Sequence, residues 1–224
     1  KTAMATLAAE RGDRTVGYTT TTHMPPPELP LVVTPTPGEA VTGESPVAFG
    51  AEYVESPDRA RAKLRGYEPA VVDALFAADA FDWLLVKADG ARRREFKAPA
   101  DHEPAIPGRA TVVVVVASVR AVGEPLAEPV VHRPDRVRAV AGADAGERIT
   151  PETVAAVVAS PDGGLLGVPA ASSAAVVVNK ADSRADRANA RSVLRSVFER
   201  SERFSRGVVT SFREGVCDPV EPPA

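Results

Sequence analysis

The chain has 224 residues and a formal charge of −3, from 27 basic and 30 acidic side chains. That balance excludes a broadly basic nucleic-acid coat, and the length fits one large domain. Apolar residues make up 44% and charged residues 25%, which excludes a wholly disordered chain.

The single cysteine, Cys217, excludes an intrachain disulfide and a cysteine-cluster zinc site, and fits a reducing cytoplasm. The longest apolar run, Val112–Ala117, falls far short of a membrane span. No membrane partner is expected. The scattered aromatics form no stacking array, so no nucleic-acid partner is expected either. Proline is in excess, 21 residues, about 9% against a usual ~5%.

In chain order, residues 1–11 are rich in helix formers, and Gly12 is a plausible stop. Thr15–Thr20 reads as a strand on its β-branched and aromatic content. Residues 25–58 are loop-rich, with one short strand at Leu31–Val33. Pro57–Arg65 and Pro69–Ala78 read as helices. Asp82–Ala88 is an apolar strand that ends at Asp89-Gly90, and 91–109 a long polar loop. The continuous valine run of Thr111–Ala117 suggests a strand covered on both faces.

Pro134–Ala141 and Pro151–Ala159 are helices, the second with Thr150 as a fair N-cap. Ala174–Val178 is a further buried strand, Ser183–Arg203 a long helix and Gly207–Ser211 a last strand. Residues 218–224 read as a flexible tail. Apolar strands alternating with amphipathic helices indicate an α/β fold with a mostly parallel sheet. A single domain over 1–217, with a Pro-rich insertion at about 25–57, is expected.

Such sheets bind ligands at the carboxyl ends of their strands. Asn179-Lys180-Ala181-Asp182 lies at one of these ends and opens the long helix. The Asp182 carboxylate suits guanine, because it accepts from both the ring N1–H and the exocyclic amine. The Asn179 amide donates to base acceptors, and the Lys180 stem lies along a purine face. The bland alternative is a polar strand-to-helix turn. Ser211 ends the last strand and joins the nucleotide-binding candidates.

Lys1-Thr2 matches the last two residues of a G-K-[ST] phosphate loop, with Lys for the β/γ-phosphates and the hydroxyl for Mg²⁺; taken alone, two residues read equally well as an ordinary basic N-terminal pair. Asp89 is placed to hold a Mg²⁺ water, or simply to make a D-G turn. Thr20, Thr21, Thr22 and His23 are candidate switch residues at the end of the Thr-rich strand. Arg92 and Arg93 suit a phosphate or a partner. Asp101, His102 and Glu103 are consecutive, so at most two could face one ion. His132 reads as a structural or interface histidine.

These motifs occur in a telling order: TTTTHM (Thr19–Met24), LRG (Leu64–Gly66), ADGAR through KAPADHEPAIP (Ala88–Pro107), EPVVHRP (Glu128–Pro134), ITPE (Ile149–Glu152), PDGGLLGVP (Pro161–Pro169) and VVVNKAD (Val176–Asp182). Over nearly its whole length the chain resembles the selenium-dependent molybdenum hydroxylase accessory proteins of the YqeC type, which are similar to P-loop NTPases. The resemblance implies a three-layer P-loop NTPase-like α/β domain. It also implies a strand and Gly-rich loop ahead of Lys1, with Lys1, Thr2 and Asp89 as catalytic residues and Thr2 and Asp89 on Mg²⁺.

Lys87 stands where the family often has an acidic residue, which removes one carboxylate from the Mg²⁺ surroundings. The expected activity is a slow, GTP-preferring (or ATP-using) cytoplasmic NTPase. It would serve an apo-hydroxylase or cofactor-maturation protein, and a homodimer is compatible with it. The alternatives are a non-hydrolysing nucleotide- or metal-binding chaperone and a small-molecule kinase.

Overall fold

The computed structural model of the chain describes residues 14–40, 44–55 and 62–223. The helix expected over 1–11, including Lys1 and Thr2, lies outside them. The described chain is mixed α/β with mainly parallel pairing. It divides into two compact units: residues up to Gly90 with Ala105–Ala110, and Ala91–Pro104 with Thr111 onward.

The first unit contains β1 (Val16–Thr20), β2 (His23–Met24), β3 (Leu31–Val33), β4 (Val47–Gly50), β5 (Glu52–Val54), β6 (Lys63–Arg65), α1 (Pro69–Ala77) and β7 (Trp83–Lys87). Its main sheet has the order β3-β4-β1-β7, all parallel. Every residue of β1 and β4 is buried, as befits inner strands of a parallel sheet covered on both faces. The Pro-rich stretch thus carries β4 and β5 besides the expected β3.

A small antiparallel sheet, β2-β6-β5, lies alongside in the chain order. Lys63–Arg65, expected at the end of a helix, is a strand paired on both sides, and ladder pairing overrides helix propensity. Pro69 opens α1, where its missing N–H has no intrahelical partner to lose. Val72 and Leu75 of α1 pack with Phe49, Ala40 and Tyr67.

Tyr67 is buried, and its hydroxyl donates to the Thr34 carbonyl at 2.7 Å. Burial, then the charge of Glu39, pushes its pKa from 10.0 up to about 12. The fold therefore favours the neutral phenol. This contribution to stability is complete below pH 10 and is lost as pH rises towards 12. Tyr67→Phe should lower stability by about 1 kcal/mol, measured by urea unfolding at pH 7. It should also remove the late step from the alkaline tyrosinate absorbance titration.

The second unit contains β8 (Phe96–Lys97), β9 (Val112–Ser118), β10 (Val131–His132), α2 (Pro134–Ala141), α3 (Pro151–Val158), β11 (Ser173–Asn179), α4 (Arg184–Arg200), β12 (Phe204–Ser211) and β13 (Val216–Val220). Strands β9, β11 and β12 are parallel, and β13 closes the order β13-β12-β11-β9 antiparallel. Asp218–Val220, expected in the tail, are thus part of a strand, as is the exposed Cys217.

Strand β9 departs from its sequence reading. Among the described residues it pairs with β11 alone, and Val112 and Val116 are 56% and 47% exposed. The valine run is an edge strand, not one covered on both faces.

The core is built on α4, whose Ala190, Val193, Leu194, Val197 and Phe198 fall at three- and four-residue spacing and are buried against Phe204 and Val209. Each such aliphatic or aromatic burial contributes about 1.5–3 kcal/mol. Ser183 and Asp186 form a reciprocal capping box at the start of α4, and Thr150 and Thr153 do the same for α3.

Candidate functional site

In the second unit, the ends of β9, β11 and β12 come together. Ser118 and Asn179 are register partners, and Ala181 N–H donates to the Thr210 carbonyl at 3.0 Å. Lys180 adopts φ +66, a left-handed conformation uncommon outside glycine. That turn buries Ala181 and leaves Lys180 and Asp182 on the accessible side.

The Asn179 Oδ1 accepts from Thr210 Oγ1 at 3.0 Å, so its amide nitrogen is the group directed elsewhere. The Asp182 carboxylate is held at both oxygens. Ser211 Oγ donates to Oδ1 at 2.6 Å and Arg120 Nη2 to Oδ2 at 2.6 Å. The Ser211 bond, followed by Arg120 and the charge of Arg213, outweighs partial desolvation and holds the Asp182 carboxyl below its usual value. Asp182 is therefore ionised at neutral pH.

Lys180 Nζ lies 2.8 and 2.7 Å from the two Glu95 oxygens, and Ser118 Oγ donates to Glu95 Oε2 at 2.6 Å. Desolvation raises the Glu95 carboxyl, but the bonds from Lys180 and Ser118 prevail and lower it. The structure brings Asn179, Lys180, Asp182 and Ser211, four of the residues named from the sequence, to one place. Thr210, Ser118, Glu95 and Arg120 also belong there and are missed by the sequence reading. Ser118 and Thr210 are at strand ends and could have been found by inspecting every such end. Arg120 and Glu95 carry no motif.

The basic loop of the same unit is organised differently. Arg92 and Arg93 have positive φ. Arg94 pairs with Glu128 at 2.6 Å, and Arg136 with Asp101 at 2.6 Å. Glu103 accepts from Lys97 at 2.7 Å and from Arg133 at 2.9 Å, while His102 Nε2 is 3.7 Å from its other oxygen. Asp101 and Glu103 therefore face cations while His102 neighbours Glu103, and among the described residues no three His, Cys, Asp or Glu side chains group to hold a metal. His132 is lowered by desolvation and by the neighbouring charges of Arg133, Arg92 and Lys97.

Desolvation raises Glu103, but Arg133 and Lys97 prevail and bring it from 4.5 to about 2. The ionised form is favoured in the fold. The pair's stabilisation is complete above pH 4.5 and is lost as pH falls towards 2. Glu103→Gln should lower stability by about 2 kcal/mol at pH 7, and thermal melts should show a smaller further loss between pH 4.5 and 2 than in the parent.

In the first unit, the end of β1 is fixed by backbone and hydroxyl bonds. Thr20 Oγ1 donates to the Lys87 carbonyl at 2.7 Å, and Thr22 N–H to Thr20 Oγ1 at 3.0 Å. Thr21 Oγ1 donates to the Ala105 carbonyl at 2.6 Å. Lys87 Nζ bonds Thr22 Oγ1 at 2.7 Å and the His23 carbonyl at 2.8 Å. Lys87 thereby ties down the Thr22–His23 segment. Desolvation, then Lys63, Lys87 and Arg65, lowers His23. Asp89 accepts from Gly90 N–H at 2.6 Å, the contact of a D-G turn.

Polar side chains thus gather at the carboxyl ends of the parallel strands of an α/β fold, the place where sheets of this kind bind ligands. The chain matches the family model described as "YqeC protein" over residues 1–135, and it belongs to that family. It is similar to the "Uncharacterized protein YqeC" of Escherichia coli (strain K12), 31% identical over 160 residues, which are 70% of this chain and 61% of that protein. The chain spans about three fifths of the length of the curated relative it matches. No solved structure matches it. The Asn179–Asp182 turn lies beyond the segment that the family model covers. Among the described residues no helix is long and apolar enough to cross a membrane.

Proposed function

We propose that this chain binds a nucleotide, GTP in preference to ATP, through Asn179–Asp182. In this reading it acts as a P-loop NTPase-type accessory factor in the maturation of a molybdenum-dependent (selenium-dependent) hydroxylase in the cytoplasm. The observation that carries the guanine reading is the ionised Asp182 carboxylate, positioned by Ser211 at the carboxyl ends of parallel strands. Guanine offers two donors to that carboxylate, whereas adenine presents an acceptor at ring N1. Asn179 has its amide nitrogen available for base acceptors, and Lys180, at left-handed φ, has its Nζ held by Glu95.

The phosphate end rests on the family resemblance. Lys1 would neutralise the phosphates, and Thr2 and Asp89 would help hold Mg²⁺. A Mg²⁺ that keeps several waters and takes phosphate oxygens needs only one or two protein carboxylates, so Asp89 suffices as the acidic ligand. Mg²⁺ would supply charge neutralisation on the phosphates. Phosphate release from GTP, assayed with and without the apo-hydroxylase, tests the activity. Slow intrinsic turnover that the partner accelerates is expected, and no release in either case would contradict hydrolysis.

A non-hydrolysing chaperone or scaffold is the second reading. The exposed Val112 and Val116 favour it, since a partner protein would cover such apolar surface. Stoichiometric nucleotide binding without turnover, together with retention of the apo-hydroxylase, would support this reading over the first.

A further inference from the structure

The base-reading carboxylate already has an occupant within the chain. Asp182 Oδ2 accepts from Arg120 Nη2 at 2.6 Å, and the other oxygen accepts from Ser211. Ser211 brings a single hydroxyl donor, which leaves Oδ1 acceptor capacity for a second bond. Arg120 is a different kind of neighbour. A guanidinium is planar and presents adjacent N–H donors. Guanine's Watson–Crick edge presents the same pattern, the ring N1–H beside the exocyclic amine. Arg120 therefore gives Asp182 Oδ2 one donor of the kind that the base would offer.

Its setting suits a side chain that can leave. Arg120 lies in the short 3-10 turn Val119–Ala121, directly after β9. Val119 and Ala121 are buried, which fixes the backbone, while the Arg120 side chain is 48% exposed. Long flexible side chains of this kind exchange rotamers far faster than the backbone rearranges. The residue before this turn, Ser118, bonds Glu95, and Glu95 holds Lys180. One strand end thus reaches both ionised side chains of the base-reading turn.

We propose that Arg120 is a built-in competitor for the guanine base, one that a nucleotide must displace from Asp182 before it is read. The inference rests on the guanine reading given above. Arg120 weakens guanine nucleotides selectively. It does not oppose adenine nucleotides, which make no use of the Asp182 oxygens. A partner that drew Arg120 away would raise guanine affinity without touching the nucleotide.

The test is calorimetric titration of the full chain and of its Arg120→Ala variant with GDP and with ADP, with Asp182→Asn as control. A partly exposed ion pair is a modest competitor, so Arg120→Ala should raise the GDP-to-ADP affinity ratio about 3- to 10-fold. The ratio is the readout because loss of a positive charge alone would weaken both nucleotides alike. Raised salt, which screens the Arg120–Asp182 pair, should narrow the gap between parent and variant. An unchanged or lower ratio, with GDP binding still lost in Asp182→Asn, would overturn the competitor role and leave the guanine site standing. Absence of any GDP preference in every variant would overturn the guanine reading and this inference with it.

Discussion

Gly66→Ala should destabilise the first unit by about 4 kcal/mol and lower its melting temperature by roughly 20 °C. A Cβ on Gly66 would lie 1.8 Å from the Thr20 carbonyl oxygen and 2.4 Å from its carbon. Both are backbone atoms, so no rotamer change relieves the overlap. The two segments are held together at that point by Gly66 N–H to the Thr22 carbonyl at 2.7 Å and Tyr67 N–H to the Thr20 carbonyl at 3.0 Å. Separating them breaks these bonds and disturbs Leu64 and Tyr67, both buried. It also moves Thr20 and Thr22, whose hydroxyls are tied to Lys87. Gly38→Ala is the matched control, because a Cβ there meets nothing within 4 Å. Differential scanning calorimetry of both variants decides the matter. A Gly66→Ala protein that melts with the parent would show that the close approach of these two segments has no energetic weight.

Asp182→Asn should weaken GTP about 100-fold and strengthen xanthosine triphosphate about 10-fold or more, with ATP unchanged. Two hydrogen bonds to an ionised carboxylate, at about 1.5 kcal/mol each, account for the lost factor. The amide of asparagine keeps one acceptor and gains a donor. It therefore mispairs with guanine's exocyclic amine and matches the carbonyl that xanthine carries at the same place. The substitution also removes the charge that attracts Arg120, which leaves Ser211 as the remaining neighbour described at that position. Competition titrations with the three nucleotides measure all three effects. Equal affinity for GTP and xanthosine triphosphate in both proteins would mean that Asp182 does not read the base.

The Asn179–Asp182 turn is legible in the sequence because a compact polar tetrad follows an Ala/Val strand and precedes a helical pattern. Chemistry and local context point the same way there. Its neighbours are not legible. Arg120 is 62 positions from Asp182 and Glu95 is 85 from Lys180, and only the parallel register of β9 on β11 brings Ser118 and Arg120 to the turn.

Strand β4 is hidden because four apolar residues between prolines look like loop, yet pairing with β1 and β3 buries all four. Lys63–Arg65 shows the opposite failure: helix-forming composition in a segment whose partners, β2 and β5, impose strand geometry. The valine run of β9 reads correctly as a strand. Its exposure is not encoded in the run, because coverage depends on neighbours that composition does not reveal. Asp101–Glu103 carry ligand-type side chains, but nearby Arg136, Lys97 and Arg133 claim two of the three.

The most direct measurement is an equilibrium titration of the unaltered protein with GTP and with ATP, each with Mg²⁺, at fixed ionic strength. The guanine-site assignment predicts saturable binding with GTP favoured at least tenfold. Equal affinity for the two, or no binding of either, would contradict it.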